Sequence, residues 1–107
     1  MSGFDDRKKA QEGKFAHDQE TLFKATARRN KLLGLWAAGK MGLSGEAAEA
    51  YAKEVVKADF EEKGDEDVFR KVKSDLDAKN AGVSEHQIRR EMETLLQTAL
   101  EQVKAGQ

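Results

Sequence analysis

Helical spacing of the apolar residues, interrupted only where glycine clusters, most limits what this chain can fold into. The 107 residues contain no proline, so glycine and capping residues must provide every break between elements. Breaks fall between Gly39 and Gly45, at Gly64-Asp65 and at residues 80–82. Between the breaks, apolar residues recur three or four positions apart, and no stretch alternates with the period of two that indicates a strand. The sequence therefore predicts an all-α fold.

Each of the four segments between these breaks carries one apolar stripe. The stripes contain Leu22, Leu32, Leu33 and Trp36; Ala48, Tyr51, Ala52, Val55, Val56 and Phe60; Val68, Phe69, Val72 and Leu76; and Ile88, Met92, Leu95, Leu96, Ala99 and Val103. Amphipathic helices joined by short connections bury such stripes against one another in a bundle. We therefore expect a small four-helix bundle, whose third helix has only about three to four turns.

Capping residues accompany the breaks. Ser44 is placed to cap the second helix, and Gly64 and Asp65 are placed as a C-cap and the following N-cap. Ser84 and Gln87 are three residues apart, which is the spacing of a capping box at the start of the fourth helix.

Charge and hydrophobicity divide the chain into an arm and a body. Residues 1–40 carry nine Lys or Arg against five Asp or Glu, whereas residues 41–107 carry ten against fifteen. After Met1, the first eighteen residues contain only Phe4 and Phe15 as large apolar side chains. Such a segment buries too little apolar surface to order itself alone. We therefore predict a flexible amino-terminal arm, residues 1–19, and a four-helix domain, residues 20–107.

The arm nevertheless has helical periodicity. At about 100° per residue, Phe15 lies within about 20° of Phe4, and Leu22 is five full turns from Phe4. Leu33 also lies within about 20° of Phe4 round such a helix. Gly13 weakens such a helix by about 1 kcal/mol relative to Ala. This pattern is typical of a segment that becomes helical when it binds a partner.

The segment from Gly34 to Met41 comes close to the phosphate-binding pattern GxxxxGK[ST], but Met41 stands where the magnesium-binding hydroxyl is required. No strand is predicted before it, so we reject a true phosphate-binding loop. An alternative function remains open: a small helical adaptor that binds a nucleotide or another anion weakly through Lys40 and the loop between Gly39 and Gly45.

Other motifs give no catalytic or metal site. The acidic stretch at residues 59–67 fails the calcium-loop pattern, because Lys63 and Arg70 occupy ligand positions. We assign Asp65, Glu66 and Asp67 to the positive end of the third helix dipole. The two histidines lack the spacing of a zinc-binding pair.

The basic run 28–31 could contact phosphates, but the acidic body would repel nucleic acid, so no nucleic-acid partner is expected. The chain has no cysteine and no apolar run long enough for a membrane span or a secretory signal. We expect a cytoplasmic protein without direct membrane insertion and without a cofactor. Nothing singles out a catalytic acid or base, so an enzyme is not expected.

Several stretches together match a known family: residues 4–7 (FDDR), 14–18 (KFAHD), 27–38 (ARRNKLLGLWAA), 54–62 (EVVKADFEE) and 64–72 (GDEDVFRKV). In them the chain resembles the zeta subunit of alphaproteobacterial F1Fo-ATP synthase. The resemblance runs from the start to about residue 76 and continues more loosely into the last helix.

This resemblance implies an inhibitor of ATP hydrolysis whose arm enters an α/β catalytic interface, becomes helical there and blocks rotation. The implied partners are the α and β subunits of F1, with γ as a further candidate, on the cytoplasmic face of the synthase. It also implies weak ADP or ATP binding as a secondary expectation, and we expect a monomer when the protein is free. Carried over by position, the partner-binding residues are Phe4, Arg7, Lys8, Lys9, Lys14 and Phe15.

Overall fold

The fold is all-α, as predicted. The computed structural model describes residues 2–59 and 65–106, with side chains from Gln19 onward. The helices are α1 (Ser2–Lys40), α2 (Gly45–Ala58), α3 (Glu66–Ala78) and α4 (Glu85–Lys104), and the described residues contain no strand. At 13 residues, α3 has the predicted length of three to four turns.

Helix α1 is the central element of the bundle. It makes its most extensive contacts with α2 and α4, and α3 packs less extensively against the other three helices. The core is formed by one stripe from each helix together with Val83 from the last loop. Its buried members are Leu33, Ala37, Ala38, Tyr51, Val55, Val68, Phe69, Val72, Leu76, Val83, Ile88 and Met92.

The backbones of α1 and α2 come unusually close at Gly34. A Cβ atom added there would lie 2.6 Å from the Cα of Ala52 and 3.2 Å from a methyl carbon of Val55. A side chain at this position would therefore push the two helices apart. The first glycine of the near-match to the phosphate-binding pattern is thus required for helix packing.

The turn after α1 is closed by backbone hydrogen bonds. The Leu43 amide donates to the Ala38 carbonyl at 2.8 Å, and the Gly42 amide donates to the Gly39 carbonyl at 3.2 Å. Gly42 has a φ of +82°, so the helix ends in the left-handed conformation that favours glycine. This Schellman motif ends α1 at the predicted break.

The turn after α3 repeats that arrangement, with Asn80 at a φ of +52° in place of glycine. The capping box predicted at the next helix is confirmed. The Gln87 amide donates to Ser84 Oγ at 3.1 Å, and the Ser84 amide donates to Gln87 Oε1 at 2.9 Å. These two bonds satisfy amides that α4 cannot satisfy within itself.

Two predicted caps differ from the structure. Ser44 and Asp65 occupy the N-cap positions of α2 and α3, but neither side chain makes a capping hydrogen bond. The Asp65 carboxylate is instead bound by Arg29 of α1. The predicted C-cap Gly64 and the predicted stripe member Phe60 lie outside the described residues.

Most described members of the predicted apolar stripes are buried or pack against the core, but Leu22 of α1 is exposed. Leu33 is fully buried, and Trp36 is half-buried and packs against the core. Leu22 is 47% exposed, although it lies on the predicted apolar face. Leu22 lies on the same side of α1 as the buried Leu33, as predicted. It stays exposed because the other helices do not extend far enough along α1 to cover it.

Candidate functional site

The predicted partner-binding residues all belong to the first half of α1. Phe4, Arg7, Lys8, Lys9, Lys14 and Phe15 fall within Ser2–Lys40, but their side chains lie outside the described part of the chain. Helix α1 also runs across the predicted boundary between residues 19 and 20. The division into arm and body, and the binding role of these residues, therefore stay predictions.

The first buried side chain among those described in α1 is Ala25. From there to Ala38, buried positions recur at helical spacing, whereas none of the side chains from Gln19 to Lys24 is buried. Leu22 and Phe23 are 47% and 69% exposed. Among the side chains described from Gln19 onward, the neighbouring helices thus cover the part of α1 between Ala25 and Ala38.

Arg29 is buried, which was not predicted from the sequence. Its side chain is 2% exposed, and its guanidinium donates to both carboxylate oxygens of Asp65, at 2.8 and 3.4 Å. Its Nε also donates to Asn30 Oδ1 at 2.7 Å. Arg29 and Asn30 of the run 28–31 are therefore not available to contact phosphates, because they hold α1 against the start of α3. Only Lys31 of that run is fully exposed.

Asp59, at the end of α2, lies in the same polar cluster. Burial and the neighbouring charge of Asp67 raise its pKa above the usual value, and the Asn30 amide and Arg29 partly oppose that rise. Among the described side chains, Asn30 Nδ2 is buried without a hydrogen bond that meets normal distance and angle limits. The polar cluster of Arg29, Asn30, Asp59, Asp65 and Asp67 thus joins three helices and carries an excess of negative charge.

A second arginine joins α4 to the start of α3. The Arg89 guanidinium donates to both carboxylate oxygens of Glu66, at 3.2 and 3.3 Å, and to Glu85 at 3.2 Å. It also stacks 3.9 Å above the centre of the Phe69 ring. Asp65 and Glu66 do lie at the positive end of the α3 dipole, as expected, but each also binds an arginine from another helix.

A third group of polar contacts, around Tyr51 and Lys71, joins α2 to α3. The Tyr51 hydroxyl donates to Asp75 Oδ2 at 2.8 Å, and Lys71 Nζ binds Glu54 and Asp75, each at 2.9 Å. Burial and the adjacent Asp75 raise the pKa of the Tyr51 hydroxyl, which therefore stays protonated and acts as a donor. This arrangement stabilises the packing of α2 against α3 and offers no reactive nucleophile.

The loop after α1 offers few groups for an anion. The amides of Met41, Gly42 and Leu43 all donate to carbonyls of the last turn of α1. Lys40 is exposed, and its Nζ lies 5.8 Å from the centre of the Trp36 ring. The alternative site at Lys40 would therefore lack the amides of Met41, Gly42 and Leu43 as donors to a phosphate.

Neither a metal site nor a membrane span is found among the described residues. They contain no group of three or more His, Asp or Glu side chains arranged to hold a metal ion. None of the helices is both long and apolar enough to span a membrane. His86 is exposed in the first turn of α4, and the His17 side chain is not described.

Comparison with known proteins decides between these interpretations. The profile of one family, ATPase inhibitor subunit zeta, matches residues 1–102 and so covers the arm and nearly all of the four helices. The chain belongs to this family. It is therefore a member of a family of regulatory inhibitor subunits rather than of enzymes.

One solved structure is similar to most of this chain. A protein whose solution NMR structure is known is 54% identical, covers 79% of this chain and 96% of its own, and superposes with a TM-score of 0.71. No functionally curated protein matches the chain. Membership of the zeta family supports inhibitory regulation in association with the ATP synthase.

Proposed function

We propose that this zeta-family chain inhibits ATP hydrolysis by F1Fo-ATP synthase through its amino-terminal arm, residues 1–19. The arm folds as a helix in the crevice between an α and a β catalytic subunit. A wedge at this interface stops it from opening and closing, and rotation halts. The chain contributes no catalytic group to this mechanism.

The distribution of burial along α1 is the observation that supports this proposal. Helix α1 begins at Ser2, whereas its first buried side chain among those described is Ala25. Among the side chains described from Gln19 onward, those buried in the bundle therefore lie at Ala25 and beyond. An inhibitor subunit needs a segment that can engage the enzyme, so membership of the family supports such a role for the first part of α1.

Phe4 and Phe15 are the proposed anchors. Ordering a flexible arm costs roughly 1–2 kcal/mol per residue in backbone entropy. Burial of the two aromatic rings and the new helical hydrogen bonds must offset that cost. Truncating either phenylalanine to alanine is therefore expected to weaken binding strongly.

Arg7, Lys8, Lys9 and Lys14 are the proposed steering residues. Positive charges at the edge of an interface raise the association rate more than they raise the final affinity. Replacing all four with glutamine should slow the onset of inhibition and make the onset less sensitive to salt. The inhibition finally reached should change less than its rate.

A single substitution tests the anchoring role. Phe15→Ala in the full chain should raise the concentration needed for half-maximal inhibition of F1 by about tenfold or more. His17→Ala is the matched control, because position 17 lies about 160° round the helix from position 15. Inhibition that survives Phe15→Ala unchanged would rule out Phe15 as an anchor.

A further inference from the structure

Two neighbouring apolar side chains on α1 lack a partner in the free protein. Leu22 is 47% exposed and Phe23 is 69% exposed, and they are the only large apolar side chains exposed among those described. An exposed phenylalanine next to an exposed leucine is uncommon on a surface this rich in charge.

This pair lies on the face of α1 that is buried further along. Leu22 is eleven residues before Leu33, and Phe23 is fourteen before Ala37, so each is within about 40° of a side chain that is fully buried. The pair therefore continues the core-facing stripe beyond the core.

Both neighbouring helices end before they reach the pair. On the α4 side, Arg28 donates to Gln102, two residues from the end of that helix at Lys104. On the α2 side, the last helical residue, Ala58, is followed by Asp59, which interacts with Asn30. Leu22 lies six residues before Arg28, or about 9 Å further along the axis. Helices α2 and α4 therefore leave the pair uncovered.

A second copy of this chain is a poor occupant for the pair. A stable protein interface buries roughly 800 Å² on each partner, and two side chains alone supply only a fraction of that. The arm offers a continuous alternative, because Leu22 follows Phe15 by seven residues and lies within about 20° of it round the helix.

We propose that the enzyme-binding surface continues along α1 to Leu22 and Phe23, which the same α/β crevice covers. This inference rests on the proposed function of the arm. It makes Phe23 a third aromatic anchor on one helix, outside the predicted arm of residues 1–19. The crevice must then present apolar side chains at its mouth as well as inside.

The test uses the full chain with the photoreactive residue benzoylphenylalanine at position 15, 23 or 24, mixed with purified F1 and illuminated. Position 24 is the control, since it is exposed and lies about 160° round α1 from Leu22. Strong labelling of α or β from position 23, and weak labelling from 24, is the expected result. Absent labelling from 23, or equal labelling from 23 and 24, would overturn the inference.

A functional measurement separates this inference from the function on which it rests. Phe23→Ala should raise the half-maximal inhibitory concentration about tenfold while leaving the melting temperature unchanged, and Lys24→Ala should change neither. If Phe15→Ala weakens inhibition and Phe23→Ala does not, the extension to Phe23 is wrong and the arm mechanism stands. If position 15 labels neither α nor β, the arm mechanism fails by itself, whatever position 23 shows.

Discussion

Arg29 on α1 and Asp65 at the start of α3 form a bidentate ion pair in which the arginine is 2% exposed and the aspartate side chain is 50% exposed. The pair therefore spans the boundary between the core and solvent. It fixes the end of the α2–α3 connection to the helix that carries the arm. Because Arg29 is buried and Asp65 is half exposed, removing the aspartate leaves a buried charge without its partner.

Asp65→Asn should destabilise the protein, because it leaves the buried Arg29 charge without its carboxylate. Breaking a fully buried pair costs about 3–5 kcal/mol, and the half-exposed position of Asp65 should reduce this to about 1–3 kcal/mol. Urea unfolding followed by circular dichroism measures the change. A midpoint equal to that of the parent would show that solvent compensates Arg29 fully.

Asp59→Asn should instead raise the stability of the protein at neutral pH. The pKa of Asp59 is raised by burial and by Asp67, so the folded state binds a proton more tightly than the unfolded state. Stability therefore falls as pH rises from the usual value near 3.8 through the raised pKa, and the cost is fully present at neutral pH.

The asparagine substitution at position 59 should raise stability at neutral pH by less than about 1 kcal/mol, because Asp59 is partly exposed. Its advantage should shrink as the pH falls through the raised pKa of Asp59 towards the usual value near 3.8. Urea midpoints of both proteins measured across this range check the sign. An advantage that is constant with pH would exclude titration of Asp59 as its cause.

Gly34→Ala and Gly39→Ala make the same chemical change in one helix, but their effects on the stability of the protein should have opposite signs. At Gly34 the new methyl group would meet the backbone of Ala52, so overpacking should cost about 1–3 kcal/mol. At Gly39 a Cβ meets nothing within 4 Å, so the gain in helix propensity should stabilise by about 0.5–1 kcal/mol. Thermal unfolding of the two variants compares them directly. Equal effects would contradict the close approach of α1 and α2.

Ser84→Ala and Ser44→Ala form a second matched pair. Ser84 accepts a hydrogen bond from the Gln87 amide, whereas Ser44 makes no capping bond with its side chain. Loss of the Ser84 cap should cost about 1 kcal/mol, and loss of the Ser44 hydroxyl should cost much less. The measurement is again the urea midpoint, and a larger effect at Ser44 would contradict the assigned caps.

Local signals made the helices predictable from the sequence. Glycine breaks, the period of the apolar residues and the spacing of Ser84 and Gln87 depend on neighbours within about one turn, so they can be read directly. The role of Gly34 could not be read in this way, because it depends on where α2 crosses α1.

Long-range partners explain what the sequence missed. Asp65 pairs with a residue 36 positions away, so its local context indicated only a helix cap. Arg29 was considered only for phosphate contact because of its charge, although its position one turn before Leu33 is on the buried face of α1. Phe23 was missed because a single apolar residue beside a stripe does not itself indicate a binding surface.

The central claim is that the arm inhibits the enzyme, and the most direct test is ATP hydrolysis by the F1 complex of the same organism. The complex, freed of this subunit, is titrated with the full chain and with a version lacking residues 1–19, whose helicity is checked by circular dichroism. We expect the full chain to inhibit hydrolysis and the folded, shortened version not to inhibit it. Equal inhibition by both versions would show that the arm is not the inhibitory segment, and binding of the full chain to F1 without loss of hydrolysis would show that this protein is not an inhibitor.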